Sequence, residues 1–265
     1  MNREAPIGIF DSGIGGLTVV DALTQSLPYE TIVYVGDTAR VPYGNKSKIR
    51  IKQYSLEITK WLKNKDCKII IVACNTVSAL ALKYLSSIFS TPIIGVIEPG
   101  VKKGIQITKN NKIAVLGTYA TIRSNAYGEG IKSLNPEISV TSQACPLFVP
   151  LAEEGWVEGK IPNQIATHYL SRIKKIGVDT VILGCTHYPL LRKTINRSLG
   201  EDVSLVDSGD AVVRNVLSIL KKIKGFSPKK EGKINSYVTD DPHLFDSIAN
   251  RFCLKKIDKA IQIDL

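Results

Sequence analysis

The sequence lacks the short motifs that identify several common enzyme classes. It has no GxxxxGK[ST] phosphate loop, no HExxH zinc motif and no GxSxG nucleophile elbow, which leaves P-loop NTPases, zinc proteases and α/β-hydrolases without support. Its five cysteines include no CxxC pair, so neither a zinc site nor a thioredoxin-like centre is indicated. We therefore expect no metal and no cofactor.

Long apolar runs are also missing. No stretch approaches the roughly 20 residues needed to cross a bilayer. The N-terminal residues 1–6 lead directly into a short strand-like run, without the apolar segment of a signal peptide. We therefore expect a cytoplasmic protein with no membrane partner. An odd number of cysteines in a reducing compartment favours free thiols over disulfides.

The composition is that of an ordinary globular protein. The chain has 265 residues, of which 44% are hydrophobic and 22% charged, enough for one large domain or two smaller ones. Strand-like runs alternate with segments of helical spacing, which predicts an α/β fold with parallel sheets covered by helices. The pattern indicates about nine or ten strands. It also predicts a helix over 75–89, an irregular segment over 145–159, a helix beginning at Pro189 and a last short strand over 254–257.

Two stretches of the chain share one plan. KIIIVACNT (68–76) and TVILGCTH (180–187) each read as a buried strand that ends in a thiol and hydrogen-bonding side chains, just before a helix. Ligands of open α/β sheets bind at the carboxyl ends of strands. The separation of 111 residues between Cys74 and Cys185 suggests two similar α/β halves whose thiols face one pocket.

The paired thiols suit acid–base chemistry. A thiol pKa of about 8.5 falls near a helix N-terminus or a cation, and His187, two residues past Cys185, is placed to tune that thiol or to polarise a carboxylate. Two bases on opposite faces of one carbon suit stereoinversion, since one accepts a proton while the other donates one. The alternative is that each cysteine is a small core residue and that the histidine has no catalytic role. We interpret Cys67, Cys145 and Cys253 as structural.

A glycine-rich turn, DSGIGG (11–16), follows the first predicted strand. Its glycines depart from the GxGxxG pattern after the second one, which weakens a dinucleotide-binding interpretation. We expect instead that the backbone amides of the turn, together with the hydroxyl of Ser12, hold a small anion such as a carboxylate. Asp11 would meet an ammonium group or assist proton transfer, or it would simply cap the following helix.

The net charge of +11 is partly local. A basic surface attracts nucleic acid or anionic substrates, but no nucleic-acid-binding motif accompanies it. We favour a solvated surface here and keep nucleic-acid binding as an alternative. The lysines concerned crowd one segment: Lys221, Lys222, Lys224, Lys229, Lys230 and Lys233.

Several segments together give the chain a family resemblance. In order and over essentially its whole length, it resembles the glutamate racemases of the aspartate/glutamate racemase superfamily. No motif position departs from that pattern. The segments are GIFDSGIGGL (8–17), GDTARVPYG (36–44), ACNT (73–76), GT with a further threonine (117–118 and 121), PLAEEG (150–155) and GCTHYPLL (184–191).

The resemblance implies both an activity and an architecture. It implies cofactor-independent interconversion of L- and D-glutamate, which supplies D-glutamate for peptidoglycan. It also implies two similar flavodoxin-like α/β domains with mainly parallel sheets and an active site in the cleft between them. The first domain would comprise residues 1–97 and 208–265, and the second residues 98–207. A homodimer is also implied, as is a possible contact with nucleic acid or gyrase that no motif supports.

The resemblance further implies roles for individual residues. Cys74 would serve the D-glutamate proton and Cys185 the L-glutamate proton, with help in proton transfer from Asp11, Glu153, His187 and, less directly, Asp37. The glutamate site would be lined by Asp11, Ser12, Pro42, Tyr43, Gly44, Asn75, Thr76, Thr118, Thr121, Thr186 and His187. The competing hypotheses are a racemase for aspartate or a related acid and a cysteine-dependent hydrolase.

Overall fold

The computed structural model describes residues 2–265 and contains two parallel sheets. The strands in chain order are β1 (Ile7–Asp11), β2 (Ile32–Gly36), β3 (Ile69–Val72), β4 (Ile93–Gly95), β5 (Lys112–Gly117), β6 (Ser139–Ala144), β7 (Thr180–Gly184), β8 (Ser204–Asp207), β9 (Ile234–Val238) and β10 (Ile261–Gln262). Six of them form a sheet in the order β10-β9-β2-β1-β3-β4, and four form a second sheet in the order β6-β5-β7-β8. Every recorded strand pairing is parallel, as predicted.

Helices cover both sheets, as parallel strands require. Three 3-10 turns, Thr38–Arg40, Tyr43–Asn45 and Tyr188–Leu191, lie in the connecting segments. The helices are α1 (Leu17–Ser26), α2 (Lys48–Lys63), α3 (Asn75–Leu80), α4 (Leu82–Ile88), α5 (Ile97–Ile107), α6 (Tyr119–Arg123), α7 (Ala126–Leu134), α8 (Phe148–Glu153), α9 (Lys160–Ile176), α10 (Arg192–Leu199), α11 (Ser208–Lys222) and α12 (Pro242–Ala249). Among residues 2–265, none of them is long and apolar enough to cross a membrane.

The continuous apolar run of β3 follows from burial on both faces of its sheet. Ile69 and Ile71 point into one hydrophobic cluster, while Ile70 and Val72 point into another. β7 is built in the same way, with Leu183 in one cluster and Ile182 in a second. A strand buried on both faces needs no polar alternation, which is why both cysteine strands stand out in the sequence.

The later part of the chain returns to the first sheet. β9 pairs with β2, and β10 pairs with β9, so the chain enters the half that contains the second sheet with α5 and leaves it after β8. The helices at these two crossings, α5 and α11, pack against each other. The halves are called here the six-strand half and the four-strand half. The domain boundaries proposed above remain a prediction.

Two predicted helices differ from the structure, one because it is interrupted and the other because it begins later than predicted. The helix predicted over 75–89 is interrupted at Ala81, whose φ is −128°. Gly95 packs against the two helices that flank the interruption. Only glycine fits at this position, because an added Cβ would lie 2.5 Å from Leu82 Cδ2 and 3.0 Å from Ser78 Oγ. The helix predicted from Pro189 begins at Arg192, after the chain has made the 3-10 turn that closes with a hydrogen bond from Leu190 N to His187 O.

Two other local predictions are also wrong. Residues 254–257 form no strand, and Leu254 is 87% exposed, so its apolar character does not report burial in a sheet. The segment 145–159, predicted to be irregular, contains α8. Pro150 lies in the first turn of that helix, where the missing N–H leaves no hydrogen bond unmade.

A buried ion pair anchors the edge of the six-strand half opposite the cysteines. The ammonium group of Lys68 lies 2.5 Å from Glu30 Oε2 and also donates to the carbonyl oxygens of Arg3 and Gly225, both at 2.9 Å. The other carboxylate oxygen of Glu30 accepts the backbone N–H of Ser227 at 2.8 Å. The pair therefore joins the segment before β1, the strand β3 and the loop after α11.

We expect Glu30→Ala to lower the free energy of unfolding by about 3–5 kcal/mol, because it leaves a buried ammonium group without its counter-charge. The matched control is Glu98→Ala, which breaks an exposed pair with Lys102 and should cost about 0–1 kcal/mol. Guanidinium denaturation followed by circular dichroism measures both. Equal losses in the two variants would contradict this account.

Candidate active site

The two cysteine strands end at one cavity. Cys74 follows β3 and caps α3, while Cys185 follows β7 and precedes the 3-10 turn rather than an α-helix. Their sulfurs come from different halves of the protein. The cavity is lined by Ser12, Val41, Pro42, Tyr43, Gly44, Cys74, Asn75, Thr76, Thr118, Val149, Gly184, Cys185, Thr186 and His187.

This cavity is narrow. Its volume is about 20 Å³, which is room for about one water molecule. An amino acid is larger than this cavity.

Most of the residues singled out in the sequence line this cavity, and three lie directly behind it. Asp11 contacts Thr186, Thr121 contacts Thr76 and Glu153 contacts His187. These three residues contact side chains that line the cavity but do not line it themselves.

On the Cys185 side, a histidine is held between the sulfur and a carboxylate. His187 Nδ1 lies 3.8 Å from Cys185 Sγ, and Nε2 lies 2.8 Å from Glu153 Oε1. Burial by itself lowers the pKa of His187, but the hydrogen bonds and negative charges of Cys185 and Glu153 raise it, to about 10. The imidazole is therefore charged at neutral pH.

The Cys74 side has the opposite electrostatic character. Its nearest polar neighbour is the hydroxyl of Ser12, with Sγ 3.8 Å from Oγ. Burial raises the pKa of Cys74, and the negative charge of Asp11 raises it further, although hydrogen bonds from Val77 N–H and Ser12 act against this. With no cation against it, Cys74 is a neutral thiol at neutral pH.

The glycine-rich turn binds the protein's own carboxylate. Burial raises the pKa of Asp11, while the charge of His187 and the backbone amides of Gly16, Gly13 and Ser12 act against that rise. The measured contact from Gly13 N to Asp11 Oδ2 is 3.3 Å. Asp11 therefore uses part of the hydrogen-bonding capacity of the turn, while Ser12 lines the cavity. The binding of an external anion by this turn stays a prediction.

Three hydroxyl groups cluster at one side of the cavity, with Thr76 and Thr118 lining it and Thr121 directly behind them. The Oγ1 atoms of Thr76, Thr118 and Thr121 lie 3.0–3.2 Å from one another. They come from both halves, since Thr76 lies in α3, Thr118 caps α6 and Thr121 lies within α6. This set of three threonines, called here the threonine triad, offers hydrogen-bond donors that can turn towards an anion.

A second network supports the loop that carries Pro42 and Tyr43. Asp37 is buried and accepts hydrogen bonds from the hydroxyl groups of Tyr43 and Thr239 and from Arg40. Arg40 also pairs with Glu57 at 2.5 Å. Asp37 does not line the cavity and lies behind the loop that carries Pro42 and Tyr43.

Glycines let the two halves meet closely around the cavity. A Cβ on Gly15 would collide with the ring of His187 and lie 2.5 Å from Thr186 Oγ1, and one on Gly44 would lie 2.7 Å from Thr118 Cβ. The contact at Gly15 also leaves no space for a pyrophosphate, against the dinucleotide interpretation. Among residues 2–265, no group of three or more His, Cys, Asp or Glu side chains is arranged to hold a metal ion.

Sequence reasoning missed several residues of this site. Val41, Val149 and Gly184 line the cavity. Val41 and Gly184 lie inside segments that carry the family resemblance and Val149 directly precedes one, so their position in the sequence was the available signal. Arg251 donates to the backbone carbonyl of Glu153, and Tyr127 donates to Asn75. Neither residue carries a sequence signal, because each lies in or after a helix of ordinary composition.

Comparison with known proteins places this geometry in a family. The family model described as Asp/Glu/Hydantoin racemase matches residues 15–216. The chain belongs to this racemase family. Within it, the chain is 48% identical to the glutamate racemase of Geobacter metallireducens over 98% of its own length and 96% of the relative's. It is also 48% identical to the glutamate racemase of Aquifex aeolicus over 88% of each chain.

Solved structures of the racemase family have the same fold. Glutamate racemase RacE1 of Bacillus anthracis superposes with a TM-score of 0.96 at 36% identity, covering 100% of this chain and 99% of that one. The Francisella tularensis glutamate racemase, solved in complex with D-glutamate, gives a TM-score of 0.93 at 40% identity over 99% and 98% of the two chains. The chain is therefore a racemase, and the predicted pair of flavodoxin-like α/β domains is confirmed.

The raised pKa of His187 sets a pH dependence of stability. The folded-state value of about 10 exceeds the ordinary value of about 6.5, so folding favours the protonated ring. Its stabilisation is complete below about pH 6.5 and is lost as the pH rises towards 10. We expect an NMR titration to show His187 charged at pH 8. Glu153→Gln should lower that pKa, and the exposed neighbour change Glu154→Gln should not. A neutral ring at pH 8 in the unmodified protein would contradict the charge assignment.

Proposed function

We propose that this protein interconverts L- and D-glutamate without a cofactor, by proton transfer to and from Cys74 and Cys185, and that it supplies D-glutamate for peptidoglycan. The observation that carries the proposal is that both sulfurs, from equivalent strand ends of two sheets, line one cavity. The curated relatives named above are glutamate racemases, which supports glutamate as the substrate.

In the proposed reaction, each side of the cavity supplies one half of the proton transfer. A thiolate at Cys185, beside the charged His187, removes the α-proton of L-glutamate and becomes a thiol. The electron pair of the broken C–H bond passes into the α-carboxylate. The thiol of Cys74 then gives its proton to the opposite face of the carbon, which yields D-glutamate and a thiolate at Cys74. The reverse reaction starts from that second state.

The polar walls suit an acid with two carboxylates. The amide nitrogen of Asn75 is buried and has no hydrogen-bond partner among the described residues, so it is free to bind the α-carboxylate between the sulfurs. The threonine triad would then hold the side-chain carboxylate. Donors aimed at the α-carboxylate also stabilise the negative charge that develops there during proton transfer.

The remaining partners stay predictions from the sequence. The six lysines of the basic segment are all exposed, as the solvated-surface interpretation expects. A homodimer and an interaction with nucleic acid or gyrase are not needed for the proposed reaction, because both halves of the site come from one chain. A cytoplasmic location follows from the proposed role in precursor synthesis.

Replacing either cysteine should stop racemisation in both directions. We expect Cys74→Ala and Cys185→Ala each to reduce turnover by at least about 10²–10⁴-fold, the usual contribution of a positioned acid or base, because each turnover uses both groups. Circular dichroism started from L- and from D-glutamate measures the rates. Cys253→Ala, a buried cysteine outside the cavity, is the control and should retain activity. Normal turnover by either site variant would refute the two-base mechanism.

The identity of the substrate can be tested with isotopes. Incubation with L-glutamate in deuterated water should place deuterium at the α-carbon while optical rotation is lost, even after treatment with a chelator. L-Aspartate under the same conditions should exchange much more slowly, because its shorter side chain would hold the second carboxylate farther from the threonine triad when its α-carbon lies between the sulfurs. Faster exchange of aspartate would favour the aspartate racemase alternative, and a trapped acyl-enzyme would favour a hydrolase.

A further inference from the structure

Tyr127 connects the two cysteine-bearing strand ends from outside the cavity. It lies in α7 of the four-strand half and is 2% exposed. Its ring packs on Gly184, the residue before Cys185, where an added Cβ would lie 3.1 Å from Tyr127 Cε2. The opposite part of the ring faces Gly100, at 3.4 Å for an added Cβ. The ring of Tyr127 is therefore packed against the backbone that leads to Cys185.

The hydroxyl group of the same tyrosine reaches the residue after Cys74. Tyr127 Oη donates to Asn75 Oδ1 at 2.6 Å. The hydroxyl of Ser208 also lies near that oxygen, at 3.3 Å, and 3.1 Å from the carbonyl oxygen of Leu183. An amide oxygen only accepts hydrogen bonds, whereas a hydroxyl group both donates and accepts. If the amide were reversed, the proton of Tyr127 Oη would have only Ser208 Oγ, at 3.4 Å, to go to, so the 2.6 Å contact favours Oδ1 facing the two hydroxyl groups.

The orientation of the amide determines which atom of Asn75 faces the cavity. With Oδ1 turned towards Tyr127, Nδ2 points the other way, and it is the buried nitrogen without a partner among residues 2–265. A buried donor left unpaired costs free energy that a ligand oxygen would recover. If the amide were reversed, its oxygen would face the substrate carboxylate and repel it.

We propose that Tyr127 is a positioning residue for the proposed reaction, which holds the Asn75 amide with its NH₂ group towards the α-carboxylate. This inference rests on the proposed function. It assigns no contact between Tyr127 and the substrate. Because Tyr127 and Asn75 belong to different halves, this hydrogen bond joins the two halves across the cleft.

Tyr127→Phe tests the proposal, since it keeps the ring on Gly184 and removes only the hydroxyl group. Without the Tyr127 hydroxyl, the Asn75 amide is no longer held with its NH₂ group towards the α-carboxylate. Loss of the Asn75 hydrogen bond to that charged carboxylate should weaken D-glutamate binding about tenfold to a hundredfold, with a smaller change in kcat. Isothermal titration calorimetry and circular dichroism measure the two effects. Tyr169→Phe is the matched control, because its hydroxyl contacts Leu147 N outside the cavity.

A double-mutant cycle separates positioning from a general structural effect. If Tyr127 acts through Asn75, then Tyr127→Phe should add less than about twofold to the binding loss in an Asn75→Ala background, since coupled residues are not additive. The same loss in both backgrounds, or no loss in the native background, would overturn the proposal. Inactivity of the unmodified protein towards glutamate would instead overturn the proposed function itself.

A second variant covers the case in which Tyr127→Phe does not fold. Asn75→Asp is nearly isosteric and keeps the acceptor for Tyr127, but it places an oxygen where Nδ2 stood. Binding of D-glutamate should fall by at least about a hundredfold, because a donor to a carboxylate is replaced by a negative charge. Unchanged binding would show that the amide nitrogen does not face the substrate and would overturn the proposal.

Discussion

The closed site depends on positions where a glycine backbone meets side chains of the other half with no room for a Cβ atom. Gly15 of the six-strand half lies against His187 and Thr186, and Gly44 lies against Thr118 of the four-strand half. These contacts set the distance between the halves. Because that distance is small, hydroxyl, thiol and imidazole groups from opposite halves come within reach of one another, and the space between the sulfurs excludes bulk water.

Polar contacts between the halves surround the site. Thr76 meets Thr118, Tyr127 donates to Asn75, and Thr18 donates to the carbonyl oxygen of Thr186 at 3.1 Å. Any opening of the cleft would break these hydrogen bonds and hydrate groups that are buried here. In the proposed reaction, a substrate with two carboxylates would replace part of what is lost, which would link binding and closure through the same few side chains.

The sequence predicts this architecture well where burial dictates residue type. The cysteine strands are apolar on both faces, so their carboxyl ends, and the polar side chains that follow, could be located from the pattern alone. Features fixed by contacts distant in sequence could not be. The break at Ala81 depends on Gly95, the turn at residues 11–16 closes on its own Asp11, and Tyr127 finds its partner in the other half. None of these leaves a periodic signal.

The repeated strand–thiol plan is symmetric in geometry but not in charge. One sulfur has the His187–Glu153 pair beside it, and the other has Ser12 and, nearby, the buried Asp11. Two mirror-image substrates have equal free energies in water, so their equilibrium constant is unity whatever the enzyme does. For the proposed reaction, the ratio kcat/KM must then be the same in both directions. Any difference in turnover that the unequal sides produce has to be matched by an equal difference in KM, so a variant on one side changes both enantiomers' efficiency together.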